Sequence, residues 1–246
     1  MDLNVASEID FGTDISELEV PAALKSRIAT SVEYIDVALG GLGMTPSVVT
    51  LFTGTPGAGK STMMLTLAAN LEASGCAVIY NGVEESAYQT KMTVERLKLD
   101  AKFGMGQEKD VRTLIAKFDR YRKCSANKYR HPVIIIDSLQ GLQDSRWNSG
   151  RITSKTSEHA LKALTEYAKE TYANVFVIGQ VNKDGKMNGS NKLRHMCDAH
   201  VELSVIDNQK SEYHGCRRLF TSKNRFGGAG FDQHLELQAD GFNIVP

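Results

Sequence analysis

One nine-residue run, GTPGAGKST at Gly54 to Thr62, constrains this chain more than any other. It fits G-x-x-x-x-G-K-[ST] and stands between VVTLFTG (Val48 to Gly54), a short β-branched apolar run, and KSTMMLTLAANLEAS, whose apolar residues recur at helical spacing. A strand that enters a helix through glycines turns its backbone N–H groups inward around an anion, with the helix N-terminus behind them. Gly54, Thr55, Pro56, Gly57, Ala58, Gly59, Lys60, Ser61 and Thr62 are therefore the expected phosphate cradle. Within it, Lys60 is placed to reach the β- and γ-phosphates of a nucleoside triphosphate, and the Ser61 hydroxyl to bind Mg²⁺.

The rest of the chain repeats the strand-then-helix rhythm. AVIY (Ala77 to Tyr80), VIII (Val133 to Ile136) and VFVI (Val175 to Ile178) read as strands, with helical patterns between them such as Ser157 to Tyr172. Continuous apolar strands separated by helices predict an α/β fold with a buried, mostly parallel central sheet flanked by helices. After Ile178 the pattern changes to HVELSVI, GCRRLFTSK and HLELQ, expected to be antiparallel strands closing the C-terminal edge.

Polar residues at the strand ends extend the phosphate site. Asp137 ends HPVIIID, the pattern by which a buried strand delivers a carboxylate to the metal's surroundings (Walker B). Glu84 and Glu85 follow the AVIY strand. Glu84 is the candidate base for the attacking water and Glu85 its support, although acids at this place also suit a helix N-terminus capped by Ser86. Gln180 ends VFVIG and can touch the γ-phosphate. The loop after it carries Lys183, Lys186, Lys192 and Arg194, either a DNA contact or a plain surface loop. KNRFGG (Lys223 to Gly228) holds two further cations, which read equally as edge-strand surface charges or as a reach into another molecule.

Composition narrows the function classes. Lys plus Arg and Asp plus Glu both number 29, so any nucleic-acid contact must rest on local patches. One basic run, Arg112 to Arg130, is expected to be a solvated helix face and connecting loop. The first twenty residues carry six acids and no Lys or Arg, with Phe11, Ile15, Leu18 and Val20 among them. Residues 1–25 are read as an acidic arm, either loose or docked on a neighbour, and residues 26–246 as the ATPase domain. No apolar run approaches the length needed to cross a membrane, and no signal peptide is indicated. The four scattered cysteines form no CxxC pair, which argues for reduced thiols in the cytoplasm.

Taken in order, TSVEYIDVALGG, GTPGAGKST, VIYNGVEES, IIIDSLQ, GQVNKDGKMNG, LRHMCDAHVEL and KNRFG resemble the RecA-like ATPases, above all the RadA (Sms) branch-migration family, from about Ile28 onward. The K-x-R pair also resembles that of DnaB-type helicases. Three features depart from the RadA pattern: Gln180 stands where histidine is usual, and neither the four-cysteine zinc module nor the Lon-like domain has a counterpart in these residues.

That resemblance implies a RecA-like fold and a Mg²⁺-dependent ATPase working on single-stranded DNA as a ring, expected to be hexameric, or as a filament. The expected roles are recombination, branch migration or helicase-type translocation, with a recombination or replication protein as partner. It also implies that Lys223 and Arg225 act on the neighbouring subunit's nucleotide, Arg225 as the arginine finger. Loops after Asp137, with Arg146 and Arg151, and after Gln180 would line the DNA path. The alternatives are a KaiC-like switch acting on a protein, or an accessory loader that borrows its partner's DNA contacts.

Overall fold

The computed structural model describes residues 9–147, 154–181 and 190–246. Its strands are β1 (Val49–Gly54), β2 (Ala77–Gly82), β3 (Gly104–Gly106), β4 (Pro132–Asp137), β5 (Asn174–Gln180), β6 (Ala199–Val205), β7 (Arg217–Asn224), β8 (Asp232–Gln238) and β9 (Gly241–Val245). The helices are α1 (Ala22–Lys25), α2 (Glu33–Ala38), α3 (Lys60–Ala73), α4 (Ala87–Arg96), α5 (Val111–Lys123), α6 (Ser154–Thr171) and α7 (Ser190–Met196). The nine strands form one sheet in the order β3-β2-β4-β5-β1-β6-β7-β8-β9.

Pairing is parallel from β3 through β6 and antiparallel from β7 to β9. The mostly parallel sheet with an antiparallel edge is as expected, but the direction of HVELSVI is not. That segment is β6, and it runs parallel to β1, with Thr50 opposite Ala199 and Gly54 opposite Leu203. The chain reaches it through α7, so it re-enters the sheet from the same end as β1. A local apolar pattern does not encode that direction.

Alternation along the strands divides the core between two faces. Phe52, Val78, Ile135, Phe176 and Ile178 point to the side covered by α2 and α3. Leu51, Ile134, Ile136, Val175 and Val177 point to the side covered by α5, α6 and α7. Burial on both faces is why these strands read as continuous apolar runs. Two strands carried no such signal: β3 is GMG, and β9 is the short edge strand GFNIV.

The basic run is α5 and its connection, as expected, and five of its cations are paired with acids. Arg112 pairs with Asp144, Lys117 with Glu108, Arg122 and Lys123 with Asp119, and Arg130 with Glu72. In the N-terminal arm, Asp14 caps a 3-10 turn at Ile15–Glu17. Ile9, Phe11, Ile15 and Val20 stand exposed there.

Gly54 lies where β1 and β6 come closest. A Cβ at this position would sit 2.0 Å from the Leu203 carbonyl oxygen, which is main chain and has no rotamer with which to move aside. Gly54→Ala is expected to cost about 3 kcal/mol of folding stability, read as a lower denaturant midpoint.

Candidate functional site

The candidate residues hang from strand ends that parallel pairing holds at one level. Gly54 of β1 is opposite Gln180 of β5, and Gly82 of β2 is opposite Asp137 of β4. Between them lies a cleft of about 420 Å³ lined by the loop from Pro56 to Thr62, apart from Ala58, and by Glu84, Asp137, Gln180 and Leu237. The loop turns through Gly57 (φ +77°) and Gly59 (φ +101°), left-handed conformations that L side chains resist. α3 then starts with no side-chain cap, leaving its first N–H groups for an anion. Gly59 is needed for a second reason, since a Cβ there would meet the Phe242 ring at 2.6 Å.

Lys60 donates from Nζ to the Gly54 and Thr55 carbonyls at 2.8 and 2.9 Å, which holds its ammonium over the loop. Burial pulls its pKa below the ordinary lysine value, while Asp137 and Glu84 pull the other way. The Ser61 hydroxyl donates to Asp137 Oδ2 at 2.6 Å, and the Tyr80 hydroxyl donates to the same oxygen at 2.7 Å. Burial, then the charge and hydrogen bond of Asp137, hold the Tyr80 phenol well above its ordinary pKa, so it remains a donor. A serine hydroxyl beside a carboxylate is a hard-oxygen pair that fits Mg²⁺ shared with phosphate oxygens.

Glu84 reaches the cleft with both carboxylate oxygens engaged. Ser138 Oγ donates to Oε1, and Gln180 Nε2 donates to Oε2 at 2.7 Å. Gln140 holds Gln180 in turn: its Oε1 accepts from the Gln180 N–H at 3.2 Å, and its Nε2 donates to the Gln180 carbonyl at 3.3 Å. Glu85 does not line the cleft, and its carbonyl accepts from Gln107 Nε2 at 3.1 Å. Ser86 makes a full capping box with Gln89 at the start of α4. The two glutamates thus divide the sequence readings between them: Glu84 faces the cleft, and Glu85 sits at a capped helix start.

Lys223 and Arg225 are far from this cleft. Lys223 is opposite His200 and Asn224 opposite Ala199, while Gly54 is opposite Leu203, so the pair lies about 13 Å along the sheet from the phosphate loop. Lys223 Nζ donates to the carbonyls of Arg194, His195 and Cys197 at 2.8, 3.2 and 2.7 Å, closing the C-terminal end of α7. Arg225 pairs with the buried Asp198 at 3.2 Å and keeps about half of its side chain exposed. Phe226 and Gly227 form the turn that follows: Arg27 donates to the Phe226 carbonyl, and Gly227 lies against the Leu39 carbonyl.

Of the candidate DNA cations, Arg151, Lys183 and Lys186 lie outside the described residues. Arg146 is exposed on the turn Ser145–Trp147 and makes no ion pair among the described residues. Lys192 pairs with Glu158 at 2.5 Å and Arg194 with Glu202 at 3.1 Å, so neither offers an unmatched charge.

Sequence reading passed over Tyr80, Ser138, Gln140, Leu237 and Phe242. Tyr80 and Ser138 adjoin residues already singled out, so their signal was available. HLELQ was legible as a strand, but nothing local marks β9 or the way the β8–β9 hairpin brings Leu237 and Phe242 over the loop.

Strand, glycine loop, lysine, serine and a facing aspartate define a P-loop nucleotide site on a RecA-like sheet. Residues 50–205 match the family model described as ATPase family associated with various cellular activities (AAA), and the chain belongs to that family of P-loop ATPases. It is 30% identical over 224 residues to the DNA repair protein RadA of Streptococcus pneumoniae, covering 91% of this chain and 50% of that one. It is 32% identical over 202 residues to the RadA of Brucella abortus, covering 82% and 41%. The chain spans about half the length of the curated relatives it matches, or less. The fold is similar to the crystal structure of a KaiC-like protein from Pyrococcus horikoshii, with a TM-score of 0.70, 17% identity and coverage of 89% of this chain and 99% of that one. The chain is a RecA-like P-loop ATPase close to the RadA core. No helix among the described residues is long and apolar enough to cross a membrane.

The Arg112–Asp144 pair anchors the segment that leaves Asp137. Burial opposes the Asp144 charge, but the Arg112 hydrogen bonds and the Arg146 N–H outweigh it and hold the pKa below the ordinary value. A depressed carboxylate adds stability that is present above its unfolded pKa of about 4 and is lost as pH falls toward the folded value. Arg112→Ala is therefore expected to cost about 2–3 kcal/mol at pH 7, with the gap from the parent narrowing toward pH 3 in urea melts.

Proposed function

We propose that this chain is a Mg²⁺-dependent, DNA-stimulated ATPase that hydrolyses ATP at the boundary between identical subunits assembled on single-stranded DNA. The observation that carries the reading is the position of Arg225. This half-exposed guanidinium lies at the opposite end of the sheet from its own phosphate loop and borders a turn fixed by Arg27. A cation so placed has no route to its own nucleotide and a ready one to a neighbour's.

In this account Lys60 and the N–H groups of the loop bind the phosphates. Ser61 and Asp137 hold the metal, and Tyr80 fixes the Asp137 rotamer. Glu84 takes a proton from the attacking water, kept in position by Ser138 and Gln180. Gln180 reports the state of the γ-phosphate to the segment that follows it. Arg225, with Lys223, stabilises the charge that builds on the transferred phosphoryl, so turnover depends on assembly. The arm of residues 1–25 docks on the adjacent subunit, and residues 26–246 form the motor.

The match to DNA repair proteins supports recombination, branch migration or helicase-type translocation as the setting. A second reading is a switch or loader acting on a protein partner. The KaiC-like fold similarity and the internally matched charges of Lys192 and Arg194 favour it.

The test is steady-state ATP hydrolysis across a range of protein concentrations, with and without single-stranded DNA. Turnover per chain is expected to rise with concentration and to rise further with DNA. Concentration dependence without DNA stimulation transfers the reading to the protein-directed switch. Glu84→Gln and Arg225→Ala are each expected to lower kcat by roughly 100-fold or more while nucleotide affinity stays within a few-fold. Loss of nucleotide binding in Arg225→Ala contradicts the role assigned to it.

A further inference from the structure

Trp147, the single tryptophan of the chain, is 64% exposed. Trp presents a large π-face, and the residue is enriched where one molecule meets another. One face of this one is covered: the indole lies parallel to the His159 imidazole of α6, with centroids 4.6 Å apart and planes within 6°. Given its exposure, the opposite face looks into solvent. The imidazole backs the indole over the covered face.

The turn that carries it is fixed from beneath. The Trp147 N–H donates to the Asp144 carbonyl at 2.9 Å, and the Arg146 N–H donates to Asp144 Oδ1 at 3.1 Å. The Ser145 N–H donates to Asp110 Oδ2 at 2.8 Å. Asp144 is itself gripped by Arg112 at 2.9 and 3.1 Å. Arg146, the neighbouring residue, is exposed.

The platform also lies where two parts of the chain meet. His159 supports Trp147, which follows the Asp137 strand. Glu158, one residue earlier on α6, pairs with Lys192 of α7, which follows the Gln180 strand. Behind both, Gln140 joins the segment after Asp137 to the main chain of Gln180. A ligand on Trp147 therefore sits on structure connected to both Gln180 and Glu84.

We propose that Trp147 is a stacking platform for one unpaired nucleobase of a single-stranded nucleic acid, with Arg146 drawing in the adjoining phosphate. The proposal rests on the DNA-directed reading above and gives it a residue. A rigid ring with one open π-face and a neighbouring cation suits a base taken from a single strand and tolerates any sequence. A base inside a duplex offers no free face.

The experiment titrates the full chain, with Mg²⁺ and a non-hydrolysable ATP analogue, against an oligothymidylate. Tryptophan emission is followed directly, and anisotropy is followed with the same oligonucleotide end-labelled. Emission is expected to be quenched in step with the rise in anisotropy, and duplex of equal length should leave it unchanged. Trp147→Ala should weaken oligothymidylate binding roughly ten-fold or more, whereas Trp147→Phe, which keeps a π-face, should stay within a few-fold of the parent. Saturating anisotropy with unchanged emission, or equal losses in the Ala and Phe variants, overturns the platform and leaves the DNA reading standing. No rise in anisotropy overturns both. Emission that shifts with protein concentration before any DNA is added marks a contact between copies and overturns the platform as well.

Discussion

Parallel pairing in register is the constraint on which the rest of this structure depends. Gly54 is held opposite Gln180, and Gly82 opposite Asp137, by ladders running the length of β1, β5, β2 and β4. Those ladders are buried on both faces, so a one-residue slip would exchange the residues packed on α2 and α3 for those packed on α5, α6 and α7. The phosphate loop, the aspartate, the glutamate and the glutamine inherit their positions from that register. Contacts as short as 2.6 Å between Ser61 and Asp137 follow from strand ends that cannot drift apart.

The same sheet explains which parts were legible in the sequence. The strands around the cleft announced themselves because burial on both faces demands an unbroken apolar run, as in VIII before Asp137. The phosphate loop was legible because glycines at positive φ next to Lys-Ser leave few other uses. β3 was not legible, since GMG has almost nothing to bury, and the direction of β6 was not, since direction is set by how the chain returns. Ser138 and Gln140 are unremarkable polar residues until folding sets them beside Glu84 and Gln180. Charge was the least reliable guide: Lys192 and Arg194 read as free cations until Glu158 and Glu202 are found beside them.

In the proposed account, the two ends of the sheet carry complementary halves of one reaction centre. At one end lie the phosphate loop, the oxygens that would hold a metal and the candidate base, with no arginine lining the cleft among the described residues. At the other lie Lys223 and Arg225, anchored to α7 and Asp198 and distant from any phosphate of their own. On that account, stacked copies would bring unlike ends together, a heterologous contact that closes into a ring or runs on as a filament. α7 touches both matters at once, because it follows the Gln180 strand and its Arg194 and His195 carbonyls hold Lys223. In an assembly of that kind, events near the nucleotide of one subunit would be connected to the cations offered to the next.

Mixing two inactive variants tests this division of labour most directly. Lys60→Ala lacks the nucleotide half of the centre and Arg225→Ala lacks the donated half, so each alone should show almost no hydrolysis. Combined under assembly conditions, they should recover activity, because some boundaries then join an intact cleft to an intact arginine. Mixed assemblies that form and remain inactive at every ratio would contradict a centre shared between subunits.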